Sequence, residues 1–152
     1  MHMEIKQMNI TYDRSTSSDI EYLYQLSKQQ IDDYENIECM DYEKVLNWVH
    51  KKIENSIDEY TTIYVDGKKA GYYHFYKNEA GLYELDDLYI FSQFQSHGIG
   101  TTIIRKCCSS IDEAVVLYVF IKNQRAVSLY QKLGFDIIET IKNSRYIMRM
   151  SR

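Results

Sequence analysis

The segment from Leu82 to Ile121 constrains the fold more than any other part of the chain. Two strand-like runs, residues 82–90 and 114–121, flank a helix whose apolar residues recur at helical spacing. The second run is almost continuously apolar, which is typical of a strand buried on both faces. A strand, a helix and a second strand in this order favour a right-handed crossover and a parallel pair. The chain therefore predicts an α/β fold built around a parallel strand pair.

The remaining pattern completes a mixed fold. Helical periodicity covers residues 20–31, behind a Ser17-Ser-Asp cap, and the segment behind Asp41, while two further helices follow the glycines at 98–100 and Asn123. Strands are predicted at residues 3–9, 60–65, 70–76, 82–90, 114–121, 135–141 and 145–150. We expect one domain over residues 1–152, with the order β-α-α-β-β-β-α-β-α-β-β. The fold class is α/β (α+β), a mixed, mostly antiparallel seven-stranded sheet with helices on both faces.

The composition excludes several classes of protein. A net charge of -4 offers no basic face for nucleic acid. No apolar run approaches the ~20 residues of a membrane span, and the N-terminus, Met1-His-Met-Glu-Ile-Lys6, lacks the apolar core of a secretion signal. Three cysteines, two of them adjacent, do not form a disulfide framework. We therefore expect a cytoplasmic protein that contacts neither nucleic acid nor a membrane.

Metal and nucleotide motifs are also missing from the sequence. The four histidines are scattered, and there is no Cys-x-x-Cys or His-x-x-x-His pair, so no metal site is predicted. No Gly-x-x-x-x-Gly-Lys-Ser/Thr sequence occurs, which excludes a phosphate-binding loop of the kinase or GTPase type. Cys107 and Cys108 fit inward helix positions, so we predict small core residues there without an acyl-cysteine step.

The segment Gln95-Ser-His-Gly-Ile-Gly100 has two glycines where a strand passes into a helix. Glycine permits a positive φ and lets a ligand approach without a Cβ in the way. The first-turn N–H groups of a helix have no intrahelical partners and attract anions. The segment therefore predicts either a tight turn or an anion site suited to a pyrophosphate. A dinucleotide-binding turn would need a third glycine at position 103, where the chain has Ile103.

Three motifs in order resemble the GNAT superfamily of N-acetyltransferases. Gln95–Gly100 resembles its acyl-CoA loop, Gln/Arg-x-x-Gly-x-Gly/Ala, and Glu84-Leu-Asp-Asp-Leu-Tyr-Ile90 resembles its fourth strand. Asn123-Gln-Arg-Ala-Val-Ser-Leu-Tyr-Gln-Lys-Leu-Gly-Phe135 resembles its Asn-x-x-Ala-x-x-x-Tyr-x-Lys-x-Gly-Phe segment. The resemblance implies a GNAT-like acyl-CoA N-acyltransferase fold, with acetyl-CoA as cosubstrate and no metal. It also implies acetyl transfer to an amine by direct attack in a ternary complex.

By the same resemblance, the pantetheine arm of coenzyme A lies between the fourth and fifth strands, which splay apart. The backbone N–H of Leu88 would then polarise the thioester carbonyl. The coenzyme contacts that the resemblance implies are Leu88, Tyr89, Ile90, Gln95, Ser96, His97, Gly98, Ile99, Gly100, Thr101, Asn123 and Tyr130.

The resemblance also suggests the groups that move protons. Tyr130 matches the family tyrosine that protonates the leaving thiolate, although its helical stripe would also suit a core residue. Glu84 is the expected base, because it lies eleven residues before Gln95, as in histone-acetylating members. Asp86 and an ordered water are the alternatives. Strict strand alternation would put Glu84 on one face with Asp86 and Leu88.

The loop departs from the family pattern at one point. The family often has Arg or Lys where this chain has Ser96 and His97. Pyrophosphate binding is then expected to rest on backbone N–H groups, with His97 either contacting the phosphate or remaining solvated. Asn123 either touches the coenzyme arm or only caps its helix.

The chemical class of the acceptor is predicted from residues 32–43, because in this fold the segment that joins the first two helices usually forms a wall of the acceptor pocket. The segment has six acids and no basic residue, which predicts a cationic amine or else a solvated face. A polyamine, an aminoglycoside or a peptide amine would fit, with cation–π contacts from Tyr34 and Tyr42. A non-catalytic coenzyme-A sensor and a partner domain that has lost its ligand stay as alternatives. Exposed final strands in this fold often support a homodimer; the oligomeric state and acyl chain length stay open.

Overall fold

The computed structural model describes residues 8–150, which fold into seven strands and four helices in the predicted order. The strands are β1 (Ile10–Arg14), β2 (Tyr60–Val65), β3 (Lys68–Lys77), β4 (Tyr83–Ile90), β5 (Val115–Phe120), β6 (Asp136–Ile141) and β7 (Arg145–Met150). The helices are α1 (Ile20–Tyr34), α2 (Tyr42–Ser56), α3 (Ile99–Ser109) and α4 (Gln124–Lys132).

The first strand lies later in the chain than predicted. Residues 3–7 of the predicted strand at 3–9 lie outside the described residues, and residues 8 and 9 precede β1. The partner strand explains this position, because Ile10 pairs with Val65, the last residue of β2. Beyond Val65 the chain turns away through Asp66 and Gly67, both at positive φ, as in a two-residue hairpin.

The strands form one sheet in the order β1-β2-β3-β4-β5-β7-β6. Five neighbouring pairs are antiparallel, and only β4 and β5 run parallel, with α3 in the connection between them. The prediction of a mixed, mostly antiparallel seven-stranded sheet is therefore confirmed. β6 lies at an edge, where Ile137 and Ile138 are exposed.

Helices cover both faces of the sheet, as predicted. α1 and α2 pack on one face around Leu23, Leu46 and Ile53, together with aromatic residues of the strands. α3 and α4 pack on the other face, where the apolar stripe of α3 meets the inward residues of β4, β5 and β7. Cys107 and Cys108 are buried in this second core at 4% and 7% exposure, in keeping with their predicted packing role.

Local signals set two of the helix starts. The side chain of Asp41 accepts a hydrogen bond from the backbone N–H of Lys44, and that of Asn123 accepts one from Ala126, at 3.3 Å each. Both residues therefore cap their helices as predicted. The Ser17-Ser-Asp segment forms a short 3-10 turn instead, and α1 starts without a side-chain cap bond.

β4 contains a bulge that redirects its side chains. In the pairing with β3, His74 lies opposite Asp87 and Phe75 opposite Leu85, so Asp86 is an additional residue on β4. A residue inserted in this way interrupts the alternation of a strand and bends it.

The bulge brings three acids to one face of the sheet. Asp86 contacts α2, and Asp87 accepts a hydrogen bond from Tyr60 in the core beneath α1 and α2. Glu84 lines the same side, whereas Leu88 packs against the core beneath α3 and α4. The expectation that Glu84 and Leu88 share a face is therefore wrong, because the additional residue shifts the alternation by one.

β4 and β5 pair over only three positions, Tyr83 with Val115, Glu84 with Val116 and Leu85 with Leu117. β4 nevertheless stays paired with β3 as far as Ile90, and β5 stays paired with β7 as far as Phe120. Each strand follows its outer neighbour, and a gap opens between them. Within the described residues, the β4 backbone that faces this gap has no partner strand beyond Leu85.

A substitution at Gly71 of β3 can test the pairing of β3 with β4. A Cβ added there would overlap the backbone carbonyl of Tyr89 in β4, so Gly71→Ala must push the two strands apart. We expect the free energy of unfolding to fall by about 1–3 kcal/mol, the usual cost of overpacking, in urea denaturation. Gly100→Ala is the control, because an added Cβ meets no atom within 4 Å there. A Gly71→Ala protein as stable as the parent would contradict the close approach of β3 and β4.

Candidate functional site

Two clefts open beside the gap between β4 and β5. Cleft 1 has a volume of about 690 Å³ and is bounded by β4, the loop before α3, the first turn of α3, α4 and the end of α1. Cleft 2 has a volume of about 740 Å³ and lies between the helices α1 and α2 and the acidic part of β4. Both volumes suit small-molecule sites. The residues that line both clefts are Gln30, Leu88, Tyr89, Asn123, Ala126 and Tyr130.

Cleft 1 collects the residues that the sequence predicted for the coenzyme, with one exception. Its walls include Leu88, Tyr89, Ile90, Gln95, Ser96, Gly98, Ile99, Gly100, Thr101, Asn123 and Tyr130. His97 is exposed and does not line the cleft; its Nδ1 lies 2.7 Å from the carbonyl oxygen of Gln95. The backbone adopts positive φ at Ser96 and Gly98, so the chain turns on either side of His97.

The first turn of α3 has the geometry of an anion site. Gly98 adopts φ +77° as the N-cap residue, and the first hydrogen bond of the helix runs from the N–H of Thr102 to its carbonyl oxygen. The preceding N–H groups of the turn have no intrahelical partner and carry partial positive charge. The space above Gly100 is open, since an added Cβ would meet no atom within 4 Å.

Arg125 supplies a positive charge that the loop sequence lacks. Its Nη2 donates to the Oγ of Ser96 at 3.1 Å, and both residues line cleft 1. Lys132, at the end of α4, lines the same cleft. Sequence analysis missed Arg125 because it occupies an unspecified position of the Asn123 motif, and only the packing of α4 brings it to the loop.

The backbone of β4 is directed into the gap at two residues. The N–H of Phe91 donates to the carbonyl of Ala70 in β3 at 2.8 Å, so alternate residues before it also face β3. Leu88 and Ile90 must then direct their backbone groups toward β5. The side chain of Gln95 donates to the Ile90 carbonyl at 2.9 Å, while the N–H of Leu88 faces the unpaired gap.

Tyr130 lies where the two clefts meet. Its ring packs edge-on against Phe135, with the ring centroids 5.7 Å apart. The residue is half-buried, and its hydroxyl, which has no hydrogen-bond partner among residues 8–150, remains accessible from the clefts that Tyr130 lines. Burial, together with the charge of Asp87, raises the pKa of Tyr130 to about 12, so the hydroxyl keeps its proton at neutral pH.

Asp86 on the floor of cleft 2 is a clamped anion. Its Oδ2 lies 2.5 Å from Nζ of Lys52 and 2.9 Å from Nδ1 of His74. Burial alone would raise the pKa of Asp86, but the hydrogen bond and charge of His74 and those of Lys52 hold it below its ordinary value.

His74 is itself fixed on four sides. It is 2% exposed, its Nε2 lies 2.9 Å from Oε2 of Glu59, and its ring is stacked between Tyr60 and Tyr76. Burial lowers the pKa of His74, yet the hydrogen bonds to Asp86 and Glu59 outweigh this and raise it. The imidazole is therefore a buried link between two carboxylates.

Among residues 8–150, the other two acids that β4 contributes to cleft 2 are hydrogen-bonded by neutral donors. The side chain of Asn78 donates to Glu84 at 3.1 Å, and burial nevertheless raises the pKa of Glu84. The hydroxyls of Tyr60 and Tyr89 donate to Asp87. Burial and the adjacent charge of Asp86 raise the pKa of Asp87. Both groups have the raised proton affinity expected of a base in a cleft.

The acidic segment at residues 32–43 forms less of cleft 2 than expected. Asp32 binds Lys28 at 3.0 Å and the hydroxyl of Tyr42 at 2.5 Å, so these side chains satisfy one another. From this segment, Glu35 and Met40 line cleft 2, while Asp33 and Tyr34 line cleft 1. Most acids of cleft 2 come from β4 instead.

Two exposed aromatic residues that sequence analysis missed also line cleft 2. Trp48 of α2 is 64% exposed, and Tyr118 of β5 is 40% exposed. Neither belongs to a motif; Trp48 lies off the apolar stripe of its helix, and Tyr118 lies in the run 114–121 that the sequence predicts to be buried on both faces. Large apolar side chains left exposed beside an acidic floor are features of a ligand-binding surface.

Residues 8–150 contain neither a cluster of metal ligands nor a membrane-spanning helix. Within that range, no three His, Cys, Asp or Glu side chains converge as ligands for a metal ion. None of the helices in the same range has the length and apolar character needed to cross a bilayer.

Comparison with known proteins links this geometry to a family. The sequence model of the family described as "Acetyltransferase (GNAT) family" matches residues 20–135, which is more than half of the chain. The match spans both clefts, from α1 to the end of the Asn123 motif.

Several solved structures share this fold at low sequence identity. PaiA N-acetyltransferase from Thermoplasma acidophilum, in complex with coenzyme A, has a TM-score of 0.71 at 19% identity, covering 95% of this chain and 99% of that chain. The ribosomal-protein-S18-alanine N-acetyltransferase from Escherichia coli has a TM-score of 0.68 at 16% identity, and the match covers 94% of both chains. Arabidopsis thaliana Naa50, in complex with the bisubstrate analogue CoA-Ac-MVNAL, has a TM-score of 0.62 at 18% identity. That match covers 94% of this chain and 99% of the Naa50 chain. At these identities the likeness establishes the fold.

The buried His74 makes stability depend on pH in a defined direction. Its folded pKa exceeds the ordinary 6.5, so between these two values the folded protein holds a proton that the unfolded chain has lost. The free energy of unfolding should therefore fall as pH rises through this window, by at most about 1.4 kcal/mol per pH unit. In urea denaturation at several pH values, His74→Asn should flatten this slope. The control His97→Asn removes an exposed imidazole and should leave the slope unchanged. An unchanged slope in His74→Asn would contradict the contacts of His74 with Asp86 and Glu59.

Proposed function

The chain belongs to the GNAT acetyltransferase family, and from this premise we propose that it transfers the acetyl group of acetyl-CoA to an amine. Coenzyme A occupies cleft 1 and the amine occupies cleft 2. The observation that carries the proposal is the hydroxyl of Tyr130, which has no partner among residues 8–150 at the point where the two clefts meet. Two substrates bound there would bring their reacting atoms together without a covalent enzyme intermediate.

The donor is held by backbone and side-chain groups of cleft 1. The N–H groups of the first turn of α3 bind the pyrophosphate, and Arg125 adds the positive charge. The pantetheine arm then follows the gap between β4 and β5, where Leu88 presents its unpaired N–H. This arrangement explains how a loop that has Ser96 and His97 in place of Arg or Lys can still bind a diphosphate.

The chemical step requires three groups. The amine nitrogen attacks the thioester carbonyl carbon, and the N–H of Leu88 stabilises the oxyanion, a contribution typically worth ~10²-fold or more. As the C–S bond breaks, the sulfur takes the proton of the Tyr130 hydroxyl. A carboxylate of β4 removes the proton from the attacking nitrogen. The resemblance assigned this last role to Glu84, directly or through a water, and its burial-raised pKa suits a base.

The acceptor is a cationic amine of a small molecule or a peptide. The carboxylates of Glu84, Asp86 and Asp87 favour an ammonium group, and Trp48 and Tyr118 offer aromatic faces beside them. One structure of the same fold contains the bisubstrate analogue CoA-Ac-MVNAL, and another is named as an N-acetyltransferase of an alanine in ribosomal protein S18. These two names support including peptide N-termini among the candidate acceptors.

The function is tested by thiol release from acetyl-CoA with a panel of amines, comprising a polyamine, an aminoglycoside, a lysine peptide and peptides with free N-termini. We expect turnover with at least one cationic amine and a rate that falls as ionic strength rises. Coenzyme A binding without turnover on any amine would instead favour a sensor of acetyl-CoA.

Tyr130→Phe should separate catalysis from binding. The ring keeps its contact with Phe135, so the fold and the affinity for coenzyme A should be retained, while kcat falls about 10²-fold or more because the general acid is lost. Steady-state kinetics and calorimetry measure the two effects. An unchanged kcat would mean that Tyr130 is a packing residue.

Arg125→Gln should weaken coenzyme A binding about 3- to 10-fold and reduce its dependence on salt, because a charged contact to phosphate is lost. Arg105→Gln is the matched control, since Arg105 is exposed on α3 and does not line cleft 1. Gly98→Val, at φ +77°, should abolish binding in the same calorimetric titration. Equal affinities for the Arg125→Gln and Arg105→Gln proteins would exclude Arg125 from the phosphate site.

A further inference from the structure

We propose that Asp87 is the carboxylate that removes the proton from the acceptor amine, with Asp86 held beside it as a fixed anion. This inference rests on the acetyl transfer proposed above and chooses among the acids of β4. It follows from the bulge, which turns two consecutive carboxylates toward the same cleft.

Distance along β4 favours Asp87 over Glu84. Asp87 immediately precedes Leu88, so their Cα atoms lie about 3.8 Å apart. Glu84 lies four residues before Leu88, which corresponds to roughly 10–13 Å along a strand, even allowing for the bulge. A glutamate side chain does not span that distance, so Glu84 would need a water between itself and the amine. Asp87 is already on the amine side of the gap.

The contacts of Asp86 make it a poor base. Lys52 and His74 both reach its Oδ2, at 2.5 Å and 2.9 Å, so its negative charge is compensated in place. A proton added to Asp86 would break two charged contacts in a largely buried site, where unpaired charges are costly. Asp86 therefore acts as a positioning residue and as a source of negative charge.

The contacts of Asp87 leave it able to accept a proton. Its partners are the neutral hydroxyls of Tyr60 and Tyr89, and Tyr89 is fixed in turn by the Oγ of Ser27 at 2.8 Å. Two adjacent carboxylates in a cleft resist carrying two charges, so the anion at Asp86 raises the proton affinity of Asp87. Paired carboxylates with divergent proton affinities are a recurring feature of acid–base sites.

Several titratable groups lie close enough to Asp87 to interact with its charge. They are Lys52 of α2, Tyr60 of β2, His74 and Tyr76 of β3, Asp86 and Tyr89 of β4, and Tyr130 of α4. Only Lys52 and His74 bring positive charge, and Asp86 engages both.

The protons balance over one turnover. An acceptor that binds as an ammonium ion first gives one proton to water. The nitrogen of the resulting neutral amine then forms its bond to the carbonyl carbon while one of its remaining protons moves to the carboxylate of Asp87. The C–S bond breaks, and the sulfur takes the proton of Tyr130. Water then receives the proton of Asp87 and returns one to the tyrosinate, so the enzyme ends in its starting state.

The test is the acid limb of the pH profile of kcat/KM, where activity appears as the base loses its proton. Two acceptor amines of different pKa separate this limb from the ionisation of the amine. Asp87→Asn should lower kcat/KM about 10²- to 10⁴-fold and remove the limb. In Glu84→Gln the limb should persist.

A matched pair of milder variants tests the same assignment without removing a carboxylate. Tyr60→Phe keeps the ring stacked on His74 but removes a donor to Asp87, so the limb should move up by about one pH unit. Asn78→Ser removes the amide donor to Glu84 without adding a charge to the acidic cluster, so the limb should stay. Thermal melts confirm that each protein is folded, and if Asp87→Asn does not fold, this pair gives the result.

A limb that moves in Asn78→Ser and disappears in Glu84→Gln would overturn the assignment in favour of Glu84. A limb that follows the pKa of the amine in every variant would overturn it as well, since no enzyme carboxylate would then take the proton. Absence of turnover by the parent protein on the whole amine panel would contradict the proposed function itself, and the assignment with it.

Discussion

The gap between β4 and β5 is the constraint on which both clefts depend. β4 follows β3, and β5 follows β7, so the central parallel pair holds for only three positions. Backbone N–H and C=O groups inside a fold require partners, and the groups of β4 beyond Leu85 face the gap without a strand to bind them. A ligand chain with amide groups can occupy this position as a substitute strand. The bulge at Asp86 bends β4 at the point where the strands part.

The acids of β4 show how charge is kept in a partly buried cleft. Burying carboxylates side by side is unfavourable unless cations and donors compensate them. Here Lys52 and His74 compensate Asp86, while Asp87 and Glu84 retain neutral donors and a higher proton affinity. The same arrangement therefore provides one anion held by two cationic side chains and two carboxylates with raised proton affinity, which suits the proposed base. The stacking of His74 between two tyrosines holds the compensating imidazole in place.

Helix α4 joins the two halves of the site. Arg125 lies in its first turn beside the loop before α3, and Tyr130 lies five residues later at the junction of the clefts. Five residues correspond to about 7.5 Å along a helix, so one short element reaches two parts of the same cleft. The cap at Asn123 fixes where the helix starts and thus where both side chains lie.

The sequence by itself determined the order of the elements, the parallel pair, the caps at Asp41 and Asn123, and the loop before α3. These features follow from local periodicity, turn chemistry and short motifs, which act within a few residues. Only the tertiary structure decided the bulge at Asp86, the contact of Arg125 with the loop, and the place of the acids in cleft 2. A bulge depends on the register of a partner strand, and strict alternation along β4 cannot reveal it. Contacts between α4 and the loop, or between α2 and β4, likewise arise only when distant segments pack.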